Sequence, residues 1–213
     1  FHAKGKTTNL EGWAGIEDPN YFRFVSPPGS ARHYPGPGKT PESNLIAHWE
    51  FEGDATDSVG GNDGIAYNIS WEDGIIGQAA SFSGSGNLYG VPQSSFIEIV
   101  GSGTYNTYSI CFWFQTDCSQ SWNSMFCDSH GIYQWGAARP EIGLDFGYLY
   151  FAAKGGYHNS WFVSDEKYND GNWHHVVGTV DALTNIAQLY ADGRLIAEAD
   201  IASTYPLMLD NSN

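Results

Sequence analysis

The chain has 213 residues, enough for one domain with a buried core, or for a domain plus an extension. Its 9 Lys and Arg against 24 Asp and Glu give a net charge of −15, which argues against a partner held through phosphates and disfavours an anionic membrane surface. The 8 Trp, 13 Tyr, 12 Phe and 26 Gly suit strands joined by tight turns, and no apolar run reaches membrane-spanning length.

Residues 1–43 read as an N-terminal extension. Pro27-Pro28-Gly29 and Pro35-Gly36-Pro37-Gly38 break regular structure there. Its one strand-like piece, 21–26, carries Tyr21, Phe22 and Phe24. The start at Phe1, with no initiator Met or signal peptide, suits a mature product or a fragment.

The domain proper is expected over 44–213. A first strand is predicted over 45–52, with Leu45, Ala47, Trp49 and Phe51 on one face and Ile46, His48, Glu50 and Glu52 on the other. Further strands are predicted over 64–68, 78–83, 96–100, 108–116, 124–127, 148–153, 160–164, 173–180, 187–191 and 194–201. The stretch 170–196 reads DGNWHHVVGTVDALTNIAQLYADGRLI. Asp192-Gly193 within it marks a two-residue hairpin turn of type I′, which needs positive φ at both central positions. Trp173, His175 and Val177 fall on one face of its first strand, and His174, Val176 and Gly178 on the other. Trp49, Trp113 and Trp173 lie in apolar strands and are expected in the core. So many short strands between turn signals imply an all-β fold, a two-sheet antiparallel sandwich.

Several ordered pieces together resemble the laminin-G-like, concanavalin A-like lectin/glucanase superfamily. They are LIAHWEFEGDATDSVGGNDG (45–64), GQAASFSGSG (77–86), FIEI (96–99), YSICFWFQTD (108–117) and the WHHVV…LYADGRLI block. The resemblance implies a curved jelly roll, frequent carbohydrate or cell-surface recognition, and often calcium. It also implies a closing strand that 44–213 lacks. The open edge left beside the first strand is then free to pair with Tyr21, Phe22 and Phe24, in the same chain or in a neighbouring subunit.

Candidate chemistry follows from residue type. Trp122, Trp135 and Trp161 stand in polar surroundings near Tyr133, Tyr148 and Tyr157. Such rings stack on the apolar faces of sugars, with Asn159 and Asp145 supplying hydrogen bonds, although loop packing or a subunit interface also enriches them. Asp54, Asp57, Asn62 and Asp63 in a Gly-rich loop suit Ca²⁺, or simply turn formation. Cys118 and Cys127 flank a polar loop that a disulfide could clamp, the alternative being reduced thiols; Cys111 is expected as a free core thiol. Asn68-Ile69-Ser70 is a glycosylation sequon. Glu50 and Glu52 share a face at roughly 6.6–6.8 Å, a glycosidase-like separation, but the E-x-D-x-x-E run of the superfamily's glucanases is absent. His174 and His175 point to opposite faces, which favours structural roles over a shared metal.

The expectation is a non-catalytic recognition module, secreted or at the cell surface, that binds a glycan or a cell-surface component. The alternative is a filament subunit that self-associates through its N-terminal arm, and a glycoside-active enzyme comes third. Neither a nucleic-acid partner nor membrane insertion is expected.

Overall fold

The computed structural model describes residues 45–82, 95–99, 101, 103–121, 123–127, 140–153, 161–200 and 207–208. Their strands, in chain order, are β1 (Gly64–Tyr67), β2 (Ile69–Asp73), β3 (Gln78–Phe82), β4 (Phe96–Ile99), β5 (Thr104–Tyr105), β6 (Tyr108–Gln115) and β7 (Asn123–Cys127). They continue as β8 (Glu141–Asp145), β9 (Tyr148–Ala152), β10 (Trp161–Lys167), β11 (Trp173–Asp181), β12 (Ile186–Ala191), β13 (Arg194–Asp200) and β14 (Leu207–Met208). Among the described residues there is no helix long and apolar enough to cross a membrane.

Two four-stranded antiparallel sheets dominate, in the orders β10-β9-β8-β7 and β13-β12-β11-β6. Their inner faces follow from period-two alternation. In the first sheet Ile142, Leu144, Leu149 and Phe151 are almost fully buried, and Phe162 and Phe126 pack beside them. In the second, Tyr108, Ile110, Phe114, Val176, Val180 and Leu189 face them. Register aligns these residues across strands: Ile142 opposes Phe151, Leu144 opposes Leu149, and Gly178 lies between Ile110 and Leu189. Such opposed apolar pairs are the stabilising unit of a sheet.

Gly178 is where the sheets come closest. A Cβ there would stand 2.8 Å from Ile142 Cδ1 and 3.1 Å from the Phe151 ring. The inner positions of β12 and β13 are mostly alanine (Ala187, Ala191, Ala197 and Ala199), which lets the aromatic layer of β6 and β9 fill the gap.

The Asp192-Gly193 turn has φ of 49° and 77°, as a type I′ turn requires. Its Asp192 also holds the preceding hairpin strand: Oδ1 accepts His175 N–H at 2.9 Å, and Asp192 N–H donates to the His175 carbonyl at 2.8 Å. The β8–β9 hairpin turns through Phe146 and Gly147, with φ of 49° and 92°.

The stretch 45–52 is not a strand. Among the described residues it makes only an isolated bridge, Trp49 to Asp57. Phe51 has φ of 59°, which ends any extended run. A side chain organises this segment instead of a ladder. Asp57, 7% exposed, accepts five N–H groups: His48 N and Val59 N on Oδ1, and Gly60 N, Asn62 N and Asn62 Nδ2 on Oδ2, all at 2.8–3.0 Å. Trp49 Nε1 donates to the Asn62 carbonyl at 2.8 Å.

Two further expectations need correction. Trp113 and Trp173 sit on the outer face of the β6–β11 pair with His175, because the inner face of β6 is taken by Tyr108, Ile110 and Phe114. Cys111 shares that outer face and is exposed rather than a core thiol. Tyr21, Phe22, Phe24 and the boundary at 43–44 lie outside the described residues.

Two changes test this packing. Gly178→Val forces two methyl groups into the space of Ile142 and Phe151, and urea unfolding should show a loss of about 1–3 kcal/mol. Asp57→Ala strands buried N–H groups and should cost about 1–3 kcal/mol by the same measurement. Burial works against the Asp57 carboxylate, but the bonds from His48, Asn62, Val59 and Gly60 win and hold its pKa at about 2. Its contribution is therefore present above the ordinary carboxylate pKa of about 4 and is lost as pH falls toward 2, so the wild-type advantage over Asp57→Ala should shrink across that window.

Candidate functional site

The outer face of the β10-β9-β8-β7 sheet carries Glu141, Gly143 and Asp145 on β8, and Tyr148, Tyr150 and Ala152 on β9. Tyr150 lies across β8: its ring is 1% exposed and its hydroxyl donates to Glu141 Oε1 at 2.6 Å. Gly143 makes this possible. A Cβ at 143 would meet the Tyr150 hydroxyl at 2.6 Å and would also run into the Asn123 carbonyl oxygen. Glu141 itself is half-buried. Lys167 Nζ stands 5.1 Å from the centre of the Tyr148 ring, a cation–π distance.

The sheet has two unlike ends. At one end lies the tight Phe146-Gly147 turn. Phe146 N–H donates to the Gln120 carbonyl, Tyr168 N–H to the Gly147 carbonyl, and Asn169 Nδ2 to the Cys118 carbonyl. At the other end Cys127 pairs with Glu141 and Ala152 pairs with Trp161. From that end depart the connections 128–139 and 154–160.

This topology sorts the predicted sugar-binding residues. Trp161 lies on β10 at the register position opposite both Ala152 and the loop end. Tyr133 and Trp135 belong to the connection from β7 to β8, and Tyr157 and Asn159 to that from β9 to β10; all four lie outside the described residues. Tyr148 pairs with Asp145 and Lys167 at the turn end, about four residues or roughly 13 Å away. Trp122, outside the described residues, precedes Asn123, which pairs with Leu144 near that same turn end. Among the described residues, Trp161 and Tyr148 therefore fall at opposite ends of the sheet.

Glu141 and Tyr150 were missed. The signal was present in EIGLDFGYLYF (141–151): Ile142 and Leu144 alternate with Glu141, Gly143 and Asp145 ahead of a Phe-Gly turn.

The Cys118–Cys127 disulfide is overturned. Cys118 is a free thiol. It belongs to the turn end, through Asn169, whereas Cys127 pairs with Glu141 at the loop end. The roughly 13 Å along β8 between those ends exceeds the Cα separation of about 7 Å that a disulfide spans.

The acidic loop is occupied with its own backbone. Asp57 spends both oxygens on N–H groups, Asp54 Oδ1 accepts Thr56 N–H at 2.9 Å, and Asp63 Oδ1 accepts Asp57 N–H at 3.0 Å. Asn62 Nδ2 donates to Asp57 and to the Ile46 carbonyl. Among the described residues no three acidic, His or Cys side chains converge in a way that could hold a metal ion. Glu52 is likewise a turn staple, both oxygens accepting Gln78 N–H at 3.2 Å, while Glu50 stands 3.8 Å from His48. Asn68 is exposed between β1 and β2 with φ of 52°.

His174 closes the inner rim of the second sheet. Nδ1 meets Asp192 Oδ2 at 2.9 Å and Nε2 meets Asp170 Oδ1 at 3.0 Å, with the Tyr168 ring edge-on at 5.1 Å. A neutral imidazole has only one N–H, so donating to both carboxylates requires the imidazolium. Desolvation lowers the His174 pKa, but the bonds to Asp192 and Asp170 outweigh it and the net shift is upward. His175 on the outer face goes the other way, pushed down to about 4 mainly by burial.

Residues 94–213, more than half of the chain, match the model of the concanavalin A-like lectin/glucanases superfamily. The chain belongs to that superfamily. Over 91% of its length the chain is 28% identical to a protein named non-toxic nonhemagglutinin from Paraclostridium bifermentans, and it spans 17% of that relative. Domain 4 of an extracellular arabinanase from Geobacillus stearothermophilus, solved in complex with arabinotriose, superposes with a TM-score of 0.54 at 20% identity. The match covers 76% of this chain and 81% of that one, and it is a likeness of fold.

The His174 clamp gives this superfamily domain a defined pH response. A raised folded-state pKa means that stability is fully present below about 6.5 and is lost as pH rises through the folded value. His174→Gln should therefore lower the urea midpoint most near pH 6, and the gap to wild type should narrow in alkaline buffer.

Proposed function

We propose that this domain is a non-catalytic carbohydrate-recognition module, displayed outside the cell, that meets its glycan at the loop end of the β10-β9-β8-β7 sheet. The observation that carries this reading is topological. One end of the sheet carries Glu141 and the Trp161 register position, and the sequence that connects the strands from that end holds Tyr133 and Trp135 between β7 and β8 and Tyr157 and Asn159 between β9 and β10. Aromatic faces with a few fixed polar groups are the chemistry of a sugar site. The arabinotriose-bound domain of the arabinanase makes arabinan a reasonable first probe. A catalytic reading lacks support, because Glu52 is committed to Gln78 and no E-x-D-x-x-E run exists.

The filament reading draws on one observation. β6, an eight-residue strand, has β11 as its only strand partner among the described residues. A segment such as 21–26 could add to that edge from a neighbouring subunit. Concentration-dependent mass that disappears on deletion of 1–43 would support that reading.

Affinity electrophoresis through arabinan, xylan, β-glucan or polygalacturonate tests the favoured one. At least one polysaccharide should retard the wild type. Trp161→Ala and Trp135→Ala should weaken that retardation at least tenfold, about 1.4 kcal/mol, and Trp122→Ala should leave it unchanged. Absence of retardation in every gel, or loss on Trp122→Ala alone, sinks the assignment.

A further inference from the structure

We propose that the cleft between β10 and β13 is a binding site for the acetamido group of a neutral N-acetylated sugar. The cleft is separate from the loop end. Only the choice of a sugar as the bearer of that group rests on the carbohydrate-recognition reading above.

The cleft opens where the edge strands of the two sheets meet, and both strands are bulged there. On β10, Val163 pairs with Tyr150 and Lys167 with Tyr148, so residues 164–166 stand opposite Leu149 alone. The buried Ser164 side chain fills the broken ladder: its Oγ accepts Leu149 N–H at 3.0 Å and donates to the Glu166 carbonyl at 2.6 Å. On β13, Leu195 pairs with Tyr190 and Ala197 with Leu189, so Ile196 is an extra residue. The two bulges, with Tyr168 and Arg194, line a cleft of about 180 Å³. A cavity of about 150 Å³ holds a benzene ring, so an acetamido group fits.

The polar groups select the ligand. Arg194 Nη2 donates to Glu166 Oε2 at 2.8 Å and stands 3.5 Å from the Tyr168 hydroxyl oxygen. A guanidinium only donates, so it cannot take the Tyr168 proton, and among the described residues no acceptor does. Tyr168 is 3% exposed and its ring is edge-on to His174, so this donor is fixed in place. Tyr168 O–H and the remaining Arg194 N–H groups are therefore neighbouring donors, and one carbonyl oxygen with two lone pairs can take both. Asp165 and Glu166 supply acceptors for an amide N–H, and exposed Leu195 with Ile196 supplies an apolar wall for a methyl group. An anionic ligand would meet two carboxylates against one arginine. A cation would leave the Tyr168 and Arg194 donors without an acceptor. A hydroxyl is a weaker acceptor than an amide carbonyl and brings no methyl group. A peptide strand needs an unbroken ladder, and the bulges interrupt both edges.

The test is a titration of isotope-labelled protein, followed through its backbone amide signals. The probes are the N-acetylglucosamine trisaccharide, the glucose trisaccharide cellotriose and N-acetylglycine methylamide. The N-acetylated sugar should shift 164–168 and 194–196 saturably, and should bind about fivefold more tightly than cellotriose, the worth of one neutral hydrogen bond. Tyr168→Phe keeps the ring and removes only the hydroxyl. It should weaken the N-acetylated sugar by about the same factor and leave cellotriose unchanged. Arg194→Met, at an exposed position, should act likewise, and unchanged β11 and β12 signals confirm that each variant is folded. Equal affinity for the two sugars overturns the acetamido group as ligand. Shifts confined to other residues, or none with any probe, overturn the cleft as a site, whereas the loop end stands or falls by the polysaccharide gels. Tighter binding of N-acetylglycine methylamide than of the N-acetylated sugar overturns the sugar as its bearer.

Discussion

Everything else in this fold depends on how closely the two sheets approach at Gly178. With hydrogen there, Ile142 and the Phe151 ring sit directly on the β11 backbone, and the alanines of β12 and β13 keep the rest of that layer thin. A close-packed interior leaves no slack for a one-residue register shift, because such a slip turns every inner side chain outward. Period-two alternation then dictates what the outer faces carry. Glu141, Tyr148 and Tyr150 are outside because Ile142, Leu149 and Phe151 are inside. The candidate site is thus a consequence of the core's register.

The acidity of the chain has a largely structural explanation in the described residues. Asp57, Asp192, Glu52 and Asp170 each turn a carboxylate toward N–H groups where the chain changes direction. Charge-assisted bonds of this kind are roughly twice as strong as neutral ones, and they do in irregular segments what a ladder does in a strand. Asp57 substitutes for the ladder that 45–52 lacks. Asp192 and His174 tie the β12–β13 turn to β11, and Asp170 ties in the connection that follows β10. In the loop 54–63 the carboxylates of Asp54, Asp57 and Asp63 each staple a turn of their own backbone.

Most of the sandwich was legible in the sequence. Residues 108–115, 173–181 and 186–191 announce themselves through alternation and through Asp192-Gly193, whose φ values match the turn expected of them. Other elements were hidden for identifiable reasons. β8 is five residues with a glycine at its centre, which reads as a loop until Tyr150 is seen lying over it. The run 45–52 alternates as well as any strand, but alternation says nothing about a partner, and the His48 N–H goes to the Asp57 side chain instead. Trp113 and Trp173 were assigned inward because aromatic residues usually are, whereas Tyr108, Ile110 and Phe114 had already claimed that face. Sequence proximity also suggested a Cys118–Cys127 bridge, which the length of β8 forbids. For the site, the aromatic residue types were visible, but their division between two ends of a sheet depends on register and could not be.

That division bears on function in its own right. In an antiparallel sheet successive connections alternate between ends, so β7–β8 and β9–β10 must leave from one end and β8–β9 from the other. The β8–β9 connection is a two-residue turn bonded to Gln120 and Tyr168, with no length to spare. The other end carries two longer connections, 128–139 and 154–160, both rich in aromatic and amide side chains. Connections at the end of a rigid sheet commonly carry recognition residues. Gly178, Ile142 and Phe151, which set the packing of the two sheets, lie outside both connections.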